Sequence, residues 1–399
     1  VRVLALSCRT DLDAELGRVG ADPACWPIFA AKAETVIVKL DDLSVATANI
    51  LKQTALLCGA DCAVHSQVIT GRVRRSDALL FGTRRQLAAV ADRLGGQPEC
   101  AARLAPGLRE QLSRQAASGV TLRVGSRTID LAQRTRVMGI VNVTPDSFSD
   151  GGRFLEPERA VEQALKLEAE GADFLDLGAE STRPGARPVE PVEQMRRLRP
   201  VLRGLRGRCR VPISVDTMSA RVARAAADEG AAMVNDVSGL SADGAMARTV
   251  KRYCLACVMM HMKGEPRTMQ RRPAYSDLMG EIVGTMGSAV DRALAAGIER
   301  DRLVVDPGIG FGKSFEHNHE ILRRLSELRS LGLPVMVGPS RKAFIGAITG
   351  EQADTRLEGT IAACLLAAVA GASIVRVHDV GPVRRALAVA DAVAGRRTE

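Results

Sequence analysis

The chain has 399 residues, 46% of them apolar and only 3% aromatic, with a formal net charge of +9. That length exceeds one small domain and suits a barrel of about 250 residues with an extension. Its longest apolar run, residues 361–371, falls far short of the roughly 18 residues a membrane helix needs, so no membrane association is expected.

The apolar start, residues 1–8, is too short for the core of a secretory signal, and a cytoplasmic protein is expected. Nine cysteines are an odd number, set among apolar neighbours such as those of Cys364. They fit buried thiols in a reducing compartment better than a disulfide framework. The positive charge calls for an anionic partner. Nucleic acid is not expected, because the basic residues are spread along the chain without interleaved aromatics. Many, such as Arg196, Arg197, Arg323 and Arg324, read as solvated helix faces, which leaves a phosphorylated small molecule.

Residues 1–130 read as a small α/β domain of unknown role, with strands over 1–7, 34–39 and 78–81 and helices over 43–58 and 83–94. Residues 105–125 read as a helix and linker, and 120–131 as a short hairpin closing the bottom of the barrel. Cys58, Cys62 and His65 are metal-ligating types, but their spacing is no zinc pattern and a fourth ligand is missing.

From residue 136 short β-branched runs alternate with helical periodicity. Strands are expected over 137–143, 173–178, 212–216, 232–236, 255–262, 303–306, 334–338 and 373–378, with helices such as 157–170, 191–205, 219–230, 315–330 and 357–370. Continuous apolar strands between helices imply a parallel sheet covered on its outer face. Eight such units imply an α/β fold of the (β/α)₈ TIM-barrel class over residues 131–399, preceded by the small N-terminal domain.

Polar residues cluster where each strand ends: Asn142, Glu180, Asp216, Asn235, His261, Asp306, Ser340 and His378. Any one alone is most often a turn or cap residue. All eight together converge on the C-terminal mouth, where barrel active sites lie.

The first two loops are polar and shaped by Pro and Gly. Residues 142–152 form a loop longer than usual, with Asn142 at its base able to offer an amide oxygen to Mg²⁺ or an NH₂ to phosphate. Arg183, in 180–186, presents a planar fork suited to phosphate oxygens. Asp216 and Asn235 place a carboxylate beside an amide, which suits an aminopyrimidine-like edge.

The 306–314 stretch ends in Gly-Lys-Ser but lacks nucleotide-loop spacing. It reads as a tight turn bringing Asp306 and Phe311 to the pocket, with Lys313 either solvated or at the site. Lys342 is a cation able to meet a ring carbonyl or an aromatic face. Arg376 and His378 alternate on one strand and share a side, so with Asn142 and Arg183 they could cradle an anion. Cys254 and Cys257 have C-x-x-C spacing but run into an apolar strand without a second pair, and His317 and His319 read as solvent-facing.

The strings MGIVNVTPDSFSDGG, ESTRPGA, SVDT, VND, MMHMKGEPRTMQ, DPGIGFGK, SRKAFIG and RVHDV occur in this order within residues 136–395. Together they resemble the dihydropteroate synthase family. The resemblance implies a (β/α)₈ barrel, usually a homodimer, that uses Mg²⁺ to condense 6-hydroxymethyl-7,8-dihydropterin pyrophosphate with 4-aminobenzoate. It implies that Asp216, Asn235, Met260, Asp306 and Lys342 hold the pterin, and that Asn142, Arg183, Arg376 and His378 hold the pyrophosphate. Mg²⁺ would sit at Asn142 and Asp150. Phe148, Thr182, Pro184, Phe311 and Ser340 would line the aminobenzoate pocket, and Lys342, Asp306 and Arg376 would carry the chemistry. Two rival readings share parts of this pattern: a barrel transferring a methyl group from a folate to a corrinoid protein, and a non-catalytic paralogue.

Overall fold

The computed structural model describes residues 4, 9–116, 120–143, 156–180, 189–264, 268–270 and 273–396. The chain divides into two compact units, Val1–Ala117 and Ser118–Glu399.

The first unit runs α1 (Arg9–Val19), α2 (Trp26–Ala33), β1 (Thr35–Ser44), α3 (Val45–Leu57), β2 (Asp61–Val64), β3 (Arg75–Thr83), α4 (Arg84–Leu94), α5 (Glu99–Ala102) and α6 (Leu104–Ala116). Its antiparallel sheet has the order β1-β3-β2. Ser44 caps α3 through the Thr47 amide, and Thr83 opens α4 in a reciprocal cap with Gln86. Such caps satisfy amide groups that a helix start leaves without partners. Leu51, Leu80, Leu87 and Leu94 are wholly buried in the core. The strand expected over 1–7 lies outside the described residues apart from Leu4, while α1, α2 and the short β2 add to what the sequence suggested.

The second unit opens with a hairpin, β4 (Thr121–Val124) and β5 (Arg127–Asp130). Then β6 (Arg136–Asn142), α7 (Glu156–Ala169), β7 (Phe174–Gly178), α8 (Pro191–Leu205), β8 (Ile213–Asp216), α9 (Ala220–Asp228), β9 (Met233–Asp236) and α10 (Met246–Arg252) follow. The rest comprises β10 (Ala256–Met260), α11 (Leu278–Ala295), β11 (Leu303–Asp306), α12 (Phe315–Arg323), β12 (Met336–Val337), α13 (Ala343–Thr349), α14 (Leu357–Val369), β13 (Ile374–Val377) and α15 (Val380–Val393).

The eight parallel strands take the order β11-β10-β9-β8-β7-β6-β13-β12. A parallel bridge between Val305 and Val335 joins the two ends, so the sheet closes as the expected barrel. The β12 strand is only two residues long because Pro334 and Pro339 flank it and lack amide hydrogens. The helix expected over 315–330 stops at Arg323 and continues as a 3₁₀ segment, Leu325–Leu331.

Side chains at the strand starts, among them Met138, Phe174, Met233, Val304 and Ile374, pack with Leu122, Val124 and Leu131 of the hairpin region. The hairpin thus plugs the bottom, as its sequence suggested. Asp173, at the same end, accepts from Arg134, Arg136 and the Val137 amide. With the bottom plugged and tied, the mouth at the strand C-termini is left for chemistry.

Candidate active site

Asn142, Asp216 and Asp306 are the last residues of β6, β8 and β11, and Asn235 is next to last in β9. His261 and His378 directly follow β10 and β13. Parallel register sets Asp216 opposite Asn235 on one neighbour and Gly178 on the other, and Gly178 in turn opposite Asn142. The predicted acid and amide therefore stand side by side.

Arg376 reaches across this group. Its Nε donates to Asp176 Oδ2 at 2.7 Å and its Nη2 to Asp216 Oδ2 at 2.9 Å. Asn235 Nδ2 donates to the same Asp176 oxygen at 3.0 Å. Arg376, expected in an anion cradle, is thus held by two carboxylates on the heterocycle side. Burial pushes the Asp216 carboxyl up to about 7, against the pull of the Arg376 guanidinium. Asp236 does not join the group: it accepts from Ser238 and the Leu240 amide, which fixes the following turn.

The 306–313 turn is built on glycine. Asp306 Oδ1 accepts from the Gly308 amide at 2.7 Å. Gly308 has φ +70°, and a Cβ there would lie 2.0 Å from the His261 carbonyl oxygen, so only glycine fits. Burial raises the Asp306 carboxyl to about 6, opposed by that amide and by Lys342.

Lys313 is not solvated. It is 2% exposed, and its amine donates to the carbonyls of Phe311 (2.9 Å) and His261 (3.3 Å) and meets His261 Nδ1 at 2.9 Å. Burial lowers the Lys313 amine to about 7 and the His261 imidazole to about 3. A neutral His261 ring can accept at Nδ1, and Lys313 therefore ties the turn to β10.

Phe311 packs with Val237, Met260 and Met269 as an apolar floor, and the Lys342 ammonium lies 4.3 Å from its ring centre. Met260, expected near the pterin, and Phe311, expected near the aminobenzoate, share this floor. Ser340 Oγ and His378 Nδ1 are 3.0 Å apart, joining two residues assigned to different ligands. Beside them Arg341 forms a two-pronged pair with Asp379 at 2.7 and 3.1 Å.

Phe148, Asp150, Thr182, Arg183 and Pro184 lie outside the described residues. His317 and His319 are half-buried rather than solvent-facing. His317 Nδ1 accepts from the Ser314 amide in a helix cap, and His319 packs edge-on against Phe344. Among the described residues no cluster of His, Cys, Asp and Glu could hold a metal ion, Cys58, Cys62 and His65 included, and every described cysteine is free.

Three residues escaped the sequence reading. Asp176 is wholly buried; an acid in the middle of an apolar strand was its signal. Gln194 donates to Glu180 at 2.9 Å and accepts from Thr217 at 3.1 Å, and on sequence it was only one more polar helix residue. Ser214 is wholly buried beside Asp176 in the register.

A closed barrel with paired acids, an amide and cations gathered at its C-terminal mouth is the arrangement of a barrel enzyme with a polar pocket. The family profile described as "Pterin binding enzyme" matches residues 138–378, and the chain belongs to that family. A dihydropteroate synthase of Synechocystis is 44% identical over 274 residues, covering 68% of this chain and 94% of that protein. The dihydropteroate synthase of Xanthomonas albilineans, solved with 4-aminobenzoic acid, matches at 45% identity and a TM-score of 0.65, over 69% of this chain and 98% of that one. The Yersinia pestis enzyme, solved with a sulfonamide drug complex, matches at 40% identity and a TM-score of 0.66, over 69% and 100%. Within the pterin-binding family the chain falls among the dihydropteroate synthases, and it is a transferase.

Proposed function

We propose that one pocket at the barrel mouth carries the whole dihydropteroate synthase reaction. The enzyme condenses 6-hydroxymethyl-7,8-dihydropterin pyrophosphate with 4-aminobenzoate and releases pyrophosphate. The observation that carries the site assignment is the convergence of Asp216, Asn235 and Arg376, with Asp306, Lys342 and Phe311 grouped at the neighbouring turn.

Asp216, Asn235, Asp306 and Lys342 hold the pterin over the floor that includes Met260. Buried carboxylates accept its ring N–H and amino hydrogens, and an analogue lacking those groups would leave them unpaired. Asn142, Arg183 and His378 receive the pyrophosphate, while Arg376, paired with Asp176 and Asp216, serves the pterin side. Ser340 and Phe311, with Phe148, Thr182 and Pro184, line the aminobenzoate side. No Ser, Cys or Lys is needed as a covalent nucleophile. Cations at the leaving oxygens favour departure of pyrophosphate, the electron-rich dihydropterin spreads charge left on its methylene, and the acids at 216 and 306 offset it. The arylamine nitrogen then bonds to the methylene in place of the departed pyrophosphate oxygen, and gives up its surplus proton to the released pyrophosphate or to water.

Mg²⁺ fits a site completed by substrate. Asn142 supplies a hard oxygen at the end of β6, and Mg²⁺ is commonly held by one or two protein oxygens plus phosphates. Asn142 and Asp150 would hold it, and when bound it would neutralise charge on the leaving oxygens.

A homodimer is supported by apolar side chains left exposed on neighbouring helices: Leu366 and Val369 of α14, and Val389 and Val393 of α15. A second copy presenting the same face would cover them. A cytoplasmic location is supported by the free cysteines, and among the described residues no helix is long and apolar enough to cross a membrane. The N-terminal unit is assigned no part in the chemistry, since relatives matching 68–69% of this chain are themselves 94–100% covered.

Mixing the chain with both substrates tests the reading. Pyrophosphate release that requires 4-aminobenzoate supports it. Release indifferent to 4-aminobenzoate, or methyl transfer from a folate to a corrinoid protein, contradicts it.

A further inference from the structure

Asp176 has no place among the roles above, yet it sits at the centre of their geometry. It lies on β7, midway between β9 and β13 in the strand order β9-β8-β7-β6-β13. From there its Oδ2 accepts from Asn235 of β9 at 3.0 Å and from Arg376 of β13 at 2.7 Å. The carboxylate is wholly buried, a position that is costly without charged or hydrogen-bonding partners.

Each of the two donors is oriented by this contact. Arg376 offers a rigid fork. With Nε fixed on Asp176, its Nη2 is aimed at Asp216, the acid assigned to the pterin. Asn235 offers an amide with two distinct ends. With its NH₂ fixed on Asp176, its Oδ1 is left as a buried acceptor with no partner among the described residues. Asp176 Oδ1 is also buried and without a partner there.

We propose that Asp176 is a positioning residue for pterin transfer, holding Arg376 and Asn235 together so that one steadies Asp216 and the other presents an acceptor to the pterin. This rests on the reading that Asp216, Asn235 and Arg376 serve the pterin site. Asp176 itself touches no reacting atom.

The test compares Asp176→Asn in three backgrounds: wild type, Arg376→Gln and Asn235→Ala. Steady-state kinetics are measured with pterin pyrophosphate and 4-aminobenzoate. In the wild type, kcat/KM for the pterin substrate should fall at least about tenfold, while KM for 4-aminobenzoate stays within about twofold. In either single-variant background the further loss should be clearly smaller, because residues acting as a unit are not additive.

The pH profile supplies a readout that a packing role would not move. The charges acting on Asp216 are those of Arg376, Asp176 and Glu180, and more remotely that of Asp236, which is turned to its own loop. Removing the Asp176 charge should shift the acidic limb of the pterin kcat/KM to lower pH. Should Asp176→Asn fail to fold, Arg376→Lys asks the same question from the other side. It keeps the cation but cannot span both carboxylates, and a loss confined to the pterin is expected.

Equal fold-losses in all three backgrounds, or an unmoved acidic limb, would overturn the proposal, as would wild-type pterin kinetics in Arg376→Lys. If Arg376→Gln and Asn235→Ala themselves leave pterin kinetics within about twofold of wild type, the site reading fails first and takes the proposal with it.

Discussion

The Lys342 ammonium lies 4.3 Å from the centre of the Phe311 ring. The two come from different loops of the mouth, one at the start of α13 and the other in the glycine turn after β11. Cation–π attraction at such range aims a flexible amine without neutralising it. Lys342→Ala should therefore cut turnover at least roughly tenfold, about 1.4 kcal/mol of transition-state stabilisation, with the fold intact. Steady-state pyrophosphate release checks this, and near-wild-type rates would remove Lys342 from the site.

The glycine turn carries a second prediction. A Cβ at position 308 would meet the His261 carbonyl at 2.0 Å, and the backbone there has φ +70°. Gly308→Ala must push the turn away from β10 and break the amide contact that fixes Asp306. Strain of about 1–3 kcal/mol is typical of such positions. Calorimetry should show pterin affinity reduced at least about tenfold, the equivalent of 1.4 kcal/mol, and unchanged affinity would contradict the role given to the turn.

Activity should depend on pH through the buried acids. Burial raises Asp216 to about 7 and Asp306 to about 6, so both gain protons as pH falls through that range. Protonation costs each a lone-pair acceptor that the pterin needs. We expect kcat/KM for the pterin substrate to decline from pH 7.5 to pH 5 (about that window, from the pKa directions). In Asp216→Asn one titrating group is gone and the limb should become shallower. A wild-type profile flat across this range would count against ionised acids in recognition.

Lys313 gives a stability prediction of known sign. Its folded value, about 7, lies below the ordinary 10.5. Between those values the unfolded chain binds more protons, so stability rises with pH there. The contribution is complete above 10.5 and is lost as pH falls toward 7. Denaturant titrations from pH 7 to 9.5 (about the accessible part of that window) should show this slope in the wild type. Lys313→Met should flatten it, and at the alkaline end of the range should lower stability, because the carbonyls of Phe311 and His261 lose their donor. An identical slope in the variant would refute the assignment.

Much of the barrel was legible because its strands are buried on both faces and read as apolar runs between amphipathic helices. The runs ending at Asp216 and Asp306 needed no tertiary information. Strand-end polarity likewise located Asn235, Ser340 and His378, since in a barrel every strand end points to one mouth. What could not be read was pairing across the barrel. Nothing local links Asp176 to Arg376, 200 positions away. The burial of Lys313 was equally hidden, because it depends on carbonyls supplied by a neighbouring strand. The N-terminal unit was read least well: its β2 is only four residues long, and the helices α1 and α2 carry weak periodicity.

The most direct test of the pocket is a crystal structure of the full chain with 7,8-dihydropteroate bound. The pterin ring should lie between Asp216, Asn235, Asp306 and Lys342, above Phe311 and Met260, with the aminobenzoyl group directed toward Ser340. A product lodged outside the barrel mouth, or a pterin ring touching neither Asp216 nor Asp306, would contradict the pocket assignment.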